Sequence, residues 1–455
     1  MKRFSTNVFL SLGLVLASCE SFLDIDISPQ LIETEDVFKS VQTARSAVDG
    51  VYVNIRSTSP SMLNGALSIF CGLMADELVP STDHVNYSPF FENNVLSNHS
   101  VVRNQFWTVS YQTVFRTNSI LQRLEDNVHL PAELKSRLIG EMKTVRALTY
   151  FYLVNLFGDV PLIMGTDYDS NAKTGRTSTQ EVLRQVCADL LEAVELLPES
   201  YPNNTKNAPN KYSGLALLAR VYLFQEEFEK AESVASRIIE SKVYTLESDL
   251  NRVFEIGSEE TIWEIAPPGG MGNTAEASSF LPPISDFPSQ IGLYTPFVAS
   301  FDQADLRKET WIGQMEYDSG DFYYPRKYKN ASYAAVTEHN IVQRLAELYL
   351  IRAEARMNLG NANGAIDDIN LIRQRAGLEP IVGSGEDEVF DMIKDERQKE
   401  LFAEWGHRWF DLKRWSMAGA VLENIKPLWE STRALLPIPD DQLIYNPYLI
   451  QNPGY

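Results

Sequence analysis

Residues 393–415 read IKDERQKELFAEWGHRWFDLKRW and contain three of the seven tryptophans in the 455-residue chain. Arg397, Leu401, Trp405 and Trp409 fall four residues apart, the spacing of one helical face, and predict a single helix through the stretch. Arg397–Glu400 and Glu404–Arg408 are spaced to pair along it. A helix that mixes large aromatics with ion pairs is expected to be a buried keystone whose charges are satisfied by neighbours. The competing reading makes Glu396, Glu400, Glu404 and His407 an acid/base or metal cluster. Ion-pair networks mimic active sites, and the structural reading is the one adopted.

Working outward, the flanking sequence is helical. Glu35–Arg56 carries Val37, Val41, Ala44, Val48, Val51 and Ile55 at helical spacing. Further helices are predicted over Arg103–Leu124, Pro131–Phe157 (stopped by Gly158 and Pro161) and Thr179–Leu197 (closed by Pro198). Leu215, Leu218, Ala219, Tyr222, Ala231, Ala235 and Ile238 then fit a tetratricopeptide template, in which small residues let two antiparallel helices approach closely. The register recurs at Tyr349, Ala353, Gly360, Ala365, Ile369 and Ile372. The expected fold is therefore mostly α, a tetratricopeptide-repeat scaffold with minor β segments. The repeats lie within about 100–245 and 339–415.

Two stretches break the periodicity. Residues 78–98, LVPSTDHVNYSPFFENNVLSN, place Tyr87, Phe90 and Phe91 in a polar loop. Rings in such a loop are candidate ligand platforms, or else tuck under it as a local core. Residues 253–338 form a loop-rich excursion with many aromatics and little periodicity beyond a short strand at Thr261–Ile265. Long irregular excursions inside helical proteins are usually functional.

Composition sets the class. Hydrophobic residues make up 44% and charged ones 22%, which suits a soluble globular body. The net charge of −21 with no basic cluster argues against nucleic acid. Residues 1–18 read as an export signal: Lys2 and Arg3, an apolar run over Val8–Leu16, and small residues before a cysteine. Cys19 is then the acylation point, residues 19–30 a tether, and 31–455 a single domain held to the membrane by lipid. Cys71 and Cys187 lack metal-ligand spacing and are expected to be free thiols. There is no HExxH, GxSxG, P-loop, Cys–His or EF-hand pattern, so no enzyme, cofactor or metal site is expected.

Seven stretches, in order, resemble the SusD/RagB family of outer-membrane lipoproteins. They are the signal ending at Cys19, FWTVSYQTVFRTNSIL from Phe106, VRALTYFYLVNLFGDVPL from Val145, RLAELYLIRAEA from Arg344, INLIRQRAGL from Ile369, RQKELFAEWGHRWFDLKRW from Arg397, and the closing LLPIPDDQL and QNPGY. The resemblance implies a cell-surface, lipid-anchored, non-catalytic protein. It would act as a lid on a SusC-like TonB-dependent transporter and capture oligosaccharide, or peptide in the RagB branch. Family ligand sites use aromatic platforms on divergent loops, so the site is placed here by chemistry: rings for sugar C–H faces, short polar side chains for hydroxyls. Asp83, Asn86, Tyr87, Phe90 and Phe91 are the first candidates, and Phe280, Phe287, Trp311 and Tyr317 the second. The segment before Trp311, DQADLRKETW, also resembles family framework, which would put Trp311 in the core.

Overall fold

The computed structural model describes residues 36–56, 60–267, 272–284, 287–318, 320–332, 335–382 and 385–455. The export signal, Cys19 and the tether lie outside the described residues. The long helices are α1 (Val41–Arg56), α2 (Val109–Glu125), α3 (Ala132–Phe157), α4 (Thr179–Leu196), α5 (Lys211–Phe224), α6 (Phe228–Ser241), α7 (Leu345–Asn358), α8 (Ala362–Arg375), α9 (Glu386–Leu401) and α10 (His407–Arg414). From α1 to α8 each packs on the next, the arrangement of a helical-repeat scaffold.

Local chemistry sets the helix ends. The Ser178 hydroxyl accepts from the Glu181 amide at the start of α4, and Asn210 and Ser213 form a reciprocal capping box on α5. Gly158, at φ 72°, ends α3. Ala219, Ala231, Ala235, Ala353 and Ala365 are all fully buried, where the paired helices of each repeat approach. Helix α2 starts later than the periodicity predicts, because Val102–Thr108 is wound as a π-helix.

Although about a hundred residues separate them, α6 and α7 pack together as consecutive repeat helices. The excursion between them is closed at its neck by β2 (Thr261–Ile265) pairing antiparallel with β6 (Asn340–Arg344), which runs directly into α7. Two more antiparallel pairs lie elsewhere: β1 (Leu78–Pro80) with β3 (Ile291–Leu293), and β4 (Ile312–Met315) with β5 (Phe322–Pro325).

The predicted single helix over residues 393–415 is in fact two. Helix α9 ends at Leu401, and Ala403, Trp405 and Gly406 take positive φ before α10 begins. Ala403 and Trp405 sit in the left-handed region against their own preference. Tertiary contacts hold them there. The Trp405 amide donates to Ser68 Oγ at 3.0 Å, and the Trp405 indole to the Ile341 carbonyl at 2.6 Å. A Cβ on Gly406 would lie 2.7 Å from Cys71 Cβ. The turn is shaped by the π-helical segment Leu67–Cys71, against which it is pressed.

Arg397 and Arg408 take partners other than those their spacing predicts. Arg397 binds Asp411, and Arg408 binds Asp76 through two contacts of 2.7 Å. Glu400 and Glu404 receive Arg344, with Arg307 and Arg375 also on Glu400 and Lys327 on Glu404. Arg307 donates further to Asp305 and, at 2.6 Å, to Glu396. This buried network ties the excursion to α7, α8 and α9.

Candidate functional site

The keystone network has the composition of an active site without its access. Glu396, Glu400, Arg307 and Arg344 are buried, and their carboxylates and guanidiniums are spent on one another. Burial acts most strongly on Glu400 and would raise its carboxyl, yet Arg375, Arg344 and Arg307 together hold it far below the usual range. Burial, with Arg220, Arg397, Arg344 and Lys327 nearby, pushes His407 well below an ordinary histidine. Among the described residues, no group of three His, Cys, Asp or Glu side chains is placed to hold a metal ion.

The excursion and the 81–99 loop, by contrast, meet at the β1–β3 ladder. In the β1–β3 ladder Pro80 faces Ile291, and the Ser81 amide donates to the Gln290 carbonyl at 2.9 Å. The loop leaving β1 therefore starts where the segment carrying Phe287 arrives. Strand β5 lies against β3: a Cβ on Gly292 would meet the Phe322 ring at 2.6 Å. Likewise the Tyr324 ring covers Gly313, its register partner, leaving no room for a side chain there. Phe322 and Tyr324, two residues apart on one strand face, stack at 6.3 Å and 23°. The two candidate regions that are some 200 residues apart in sequence thus share one edge.

The candidates divide by burial. Phe90 is fully buried, packed on Phe70 at 4.6 Å, and acts as the plug of its own loop. Phe280 is buried too. Trp311 is fully buried, donates its indole N–H to the Leu250 carbonyl at 2.9 Å and carries Lys327 over its ring at 4.7 Å. These three rings are structural, because each completes a core that the chain could not otherwise fill. Tyr87 is half-buried and stacks on His84 at 4.5 Å. Burial raises its hydroxyl pKa. Phe91 is half-buried under Lys426, whose ammonium lies 4.2 Å from the ring centre. Asp83 is exposed and accepts from Ser88 Oγ at 2.7 Å, bracing the loop. Asn86 and Tyr317 are half-buried, and Phe287 is 60% exposed.

Phe322, Tyr323 and Tyr324 join the edge without having stood out among the excursion's many aromatics. The available signal was their neighbours: Gly292 and Gly313 supply the flat seats on which two of these rings lie. Cys71 and Cys187 are free thiols, the first buried, and burial pushes Cys187 up to about 11.

The chain is a stack of helix pairs with one long insertion between α6 and α7, whose ion pairs to α8 and α9 are buried. Two family profiles match the chain: the SusD family over residues 307–426, and "starch-binding associating with outer membrane" over residues 21–223. A SusD-like protein of Formosa agariphila is 26% identical along the whole of both chains. A SusD superfamily protein from Bacteroides vulgatus superposes with a TM-score of 0.81 at 20% identity, covering 92% of this chain and all of that one. A laminarin-binding SusD-like protein superposes at 0.78 with 25% identity, covering 91% and 99%. Along most of its length the chain is thus similar to SusD-like proteins. Among the described residues, no helix is long and apolar enough to cross a membrane.

Proposed function

We propose that this protein captures oligosaccharide at the β1–β3–β5 edge and passes it, without chemistry, to a SusC-like TonB-dependent transporter in the outer membrane. What carries the reading is the β1–β3–β5 arrangement, which joins the loop holding Asp83, Asn86 and Tyr87 to the segment holding Phe287 and to the Phe322–Tyr324 strand, with Tyr317 in the turn before that strand. Rings present flat faces to sugar C–H groups, and the short polar side chains supply acceptors and donors for hydroxyls. Two comparisons support it: one matching profile is described as starch-binding, and a structural neighbour binds laminarin. In this proposal residues 1–18 are removed, Cys19 carries the lipid that holds the protein at the cell surface, and residues 31–455 act as one body.

Calorimetric titration of the full chain in detergent against oligosaccharides of increasing length tests the reading. Binding above a threshold length, lost in Tyr87→Ala and Phe287→Ala, is the expected result. Binding that survives both changes would move the site elsewhere. Peptide binding with silence across the sugar panel would make this a peptide-capturing lipoprotein of the same transport system.

A further inference from the structure

Away from that edge, the solvent side of α2 floors a separate trough. Thr108, Gln112, Phe115, Arg116, Ser119 and Arg123 recur at helical spacing along it. A cleft of about 850 Å³ lies between this stripe, the 161–172 segment and the 442–449 part of the C-terminal strap. A second, of about 400 Å³, lies between the same helix and the 37–50 region. The two share Phe115, Arg116 and Thr166, so they form one trough over a helical floor about 22 Å long at 1.5 Å per residue.

Its lining joins rings to free polar groups. Trp107 and Tyr111 form one wall, their rings 4.9 Å apart, and the Tyr111 hydroxyl is tied to the Pro161 carbonyl at 3.0 Å. Tyr168 and Tyr445 stand at the rim, 81% and 76% exposed. A purely apolar occupant would leave the carboxamides of Gln112 and Gln442 and the guanidinium of Arg116 without partners.

The charge is the telling feature. The chain has 61 acidic residues and a net charge of −21, yet none of the described residues lining either cleft is Asp or Glu. Two arginines line the trough, Arg116 and Arg123. Among the described residues, neither forms an ion pair. Of the acids just outside the lining, Asp167 accepts from the Ser170 amide at 2.8 Å, and Asp441 faces Arg103 at 4.0 Å.

We infer that this trough is a second saccharide site and that it takes a negatively charged oligosaccharide. Sugar faces would lie on Phe115 and the rim tyrosines, hydroxyls would meet the carboxamides, and carboxylate or sulfate groups would meet the two guanidiniums. On so acidic a protein, an anionic ligand needs local positive charge, and the trough supplies it on a lining that carries no carboxylate. The site is independent of the loop edge, so either can fail without the other.

The test is calorimetric titration of the full chain in detergent with tetragalacturonate, a sulfated carrageenan tetrasaccharide and neutral laminarihexaose, at low and high salt. An anionic probe should bind, weaken with salt, and lose about tenfold or more in affinity in Arg116→Gln and in Tyr445→Ala. Both substituted side chains are exposed, so melting curves should be unchanged. Tyr87→Ala, at the loop edge, should leave this binding intact. Which anionic probe binds distinguishes carboxylate from sulfate recognition. Failure of both anionic probes, binding indifferent to Arg116→Gln, or preference for the neutral sugar in the trough would each overturn the inference.

Discussion

Replacing Glu400 by glutamine removes one charge from the centre of the keystone while keeping its shape. Around it, Arg307, Lys327, Arg344, Arg373 and Arg375 face Glu260, Asp305, Glu396, Glu400 and Glu404, five cations against five carboxylates. Glu400 is fully buried and accepts from three of these arginines. The variant leaves five cations against four anions and turns an amide N–H₂ toward guanidinium donors. Breaking a buried pair in this way costs about 3–5 kcal/mol, on the order of a hundredfold to a few thousandfold in the folded-to-unfolded ratio. The assay is urea unfolding followed by tryptophan fluorescence, since Trp311 lies under Lys327 of the same network. Asp391→Asn is the control. That carboxylate is 75% exposed beside Lys394, so its pair is worth about 0–1 kcal/mol. Folded Glu400→Gln should bind oligosaccharide as the wild type does. A loss no larger than the control's would show that the network is not a keystone. A stable variant that no longer binds would give the cluster a direct part in recognition.

Other substitutions separate packing from recognition. Phe90→Ala should cost about 3–5 kcal/mol, as for a buried ring in a closed core, whereas Tyr87→Ala should leave the melting temperature nearly unchanged and act on ligand affinity. Gly313→Ala would place a Cβ 2.1 Å from the Tyr324 ring, so the ring must swing off its seat. Weaker oligosaccharide binding with a stability loss of about 1–3 kcal/mol is expected. Burial raises the Glu276 carboxyl from an ordinary 4.5 to about 7. The folded state therefore holds a proton that the unfolded chain has released, and this contribution to stability falls as pH rises from 4.5 to 7. Glu276→Gln should gain on the wild type by about 3 kcal/mol over that interval, and urea titrations at pH 5 and pH 8 would read the difference.

Much of the fold was legible because its signals are local. Apolar spacing, the small residues of the repeats, Gly158 and the Pro198 stop all act within a few positions of themselves, so the helices of each repeat pair fell where periodicity put them. The excursion was visible as a break in the same pattern. The kink at 402–406 was not. Ala403 and Trp405 have no intrinsic preference for positive φ, and the contacts that force it come from Ser68, Ile341 and Cys71, far away in sequence.

The candidate site shows the same boundary. Composition and loop polarity marked 78–98 and 253–338 as aromatic-bearing breaks in the helical pattern, and the stretch before Trp311 already pointed to framework. Which rings face solvent is decided by tertiary packing. Phe90 and Phe91 are adjacent in sequence, yet one fills the pocket against Phe70 and the other lies half-covered beneath Lys426. The two regions become one edge only through the β1–β3 ladder, whose register joins residue 80 to residue 291. By itself the sequence determined a helical-repeat scaffold with aromatic loops. Only long-range packing decided which aromatics are core and which form a surface, because burial depends on neighbours that local spacing does not encode.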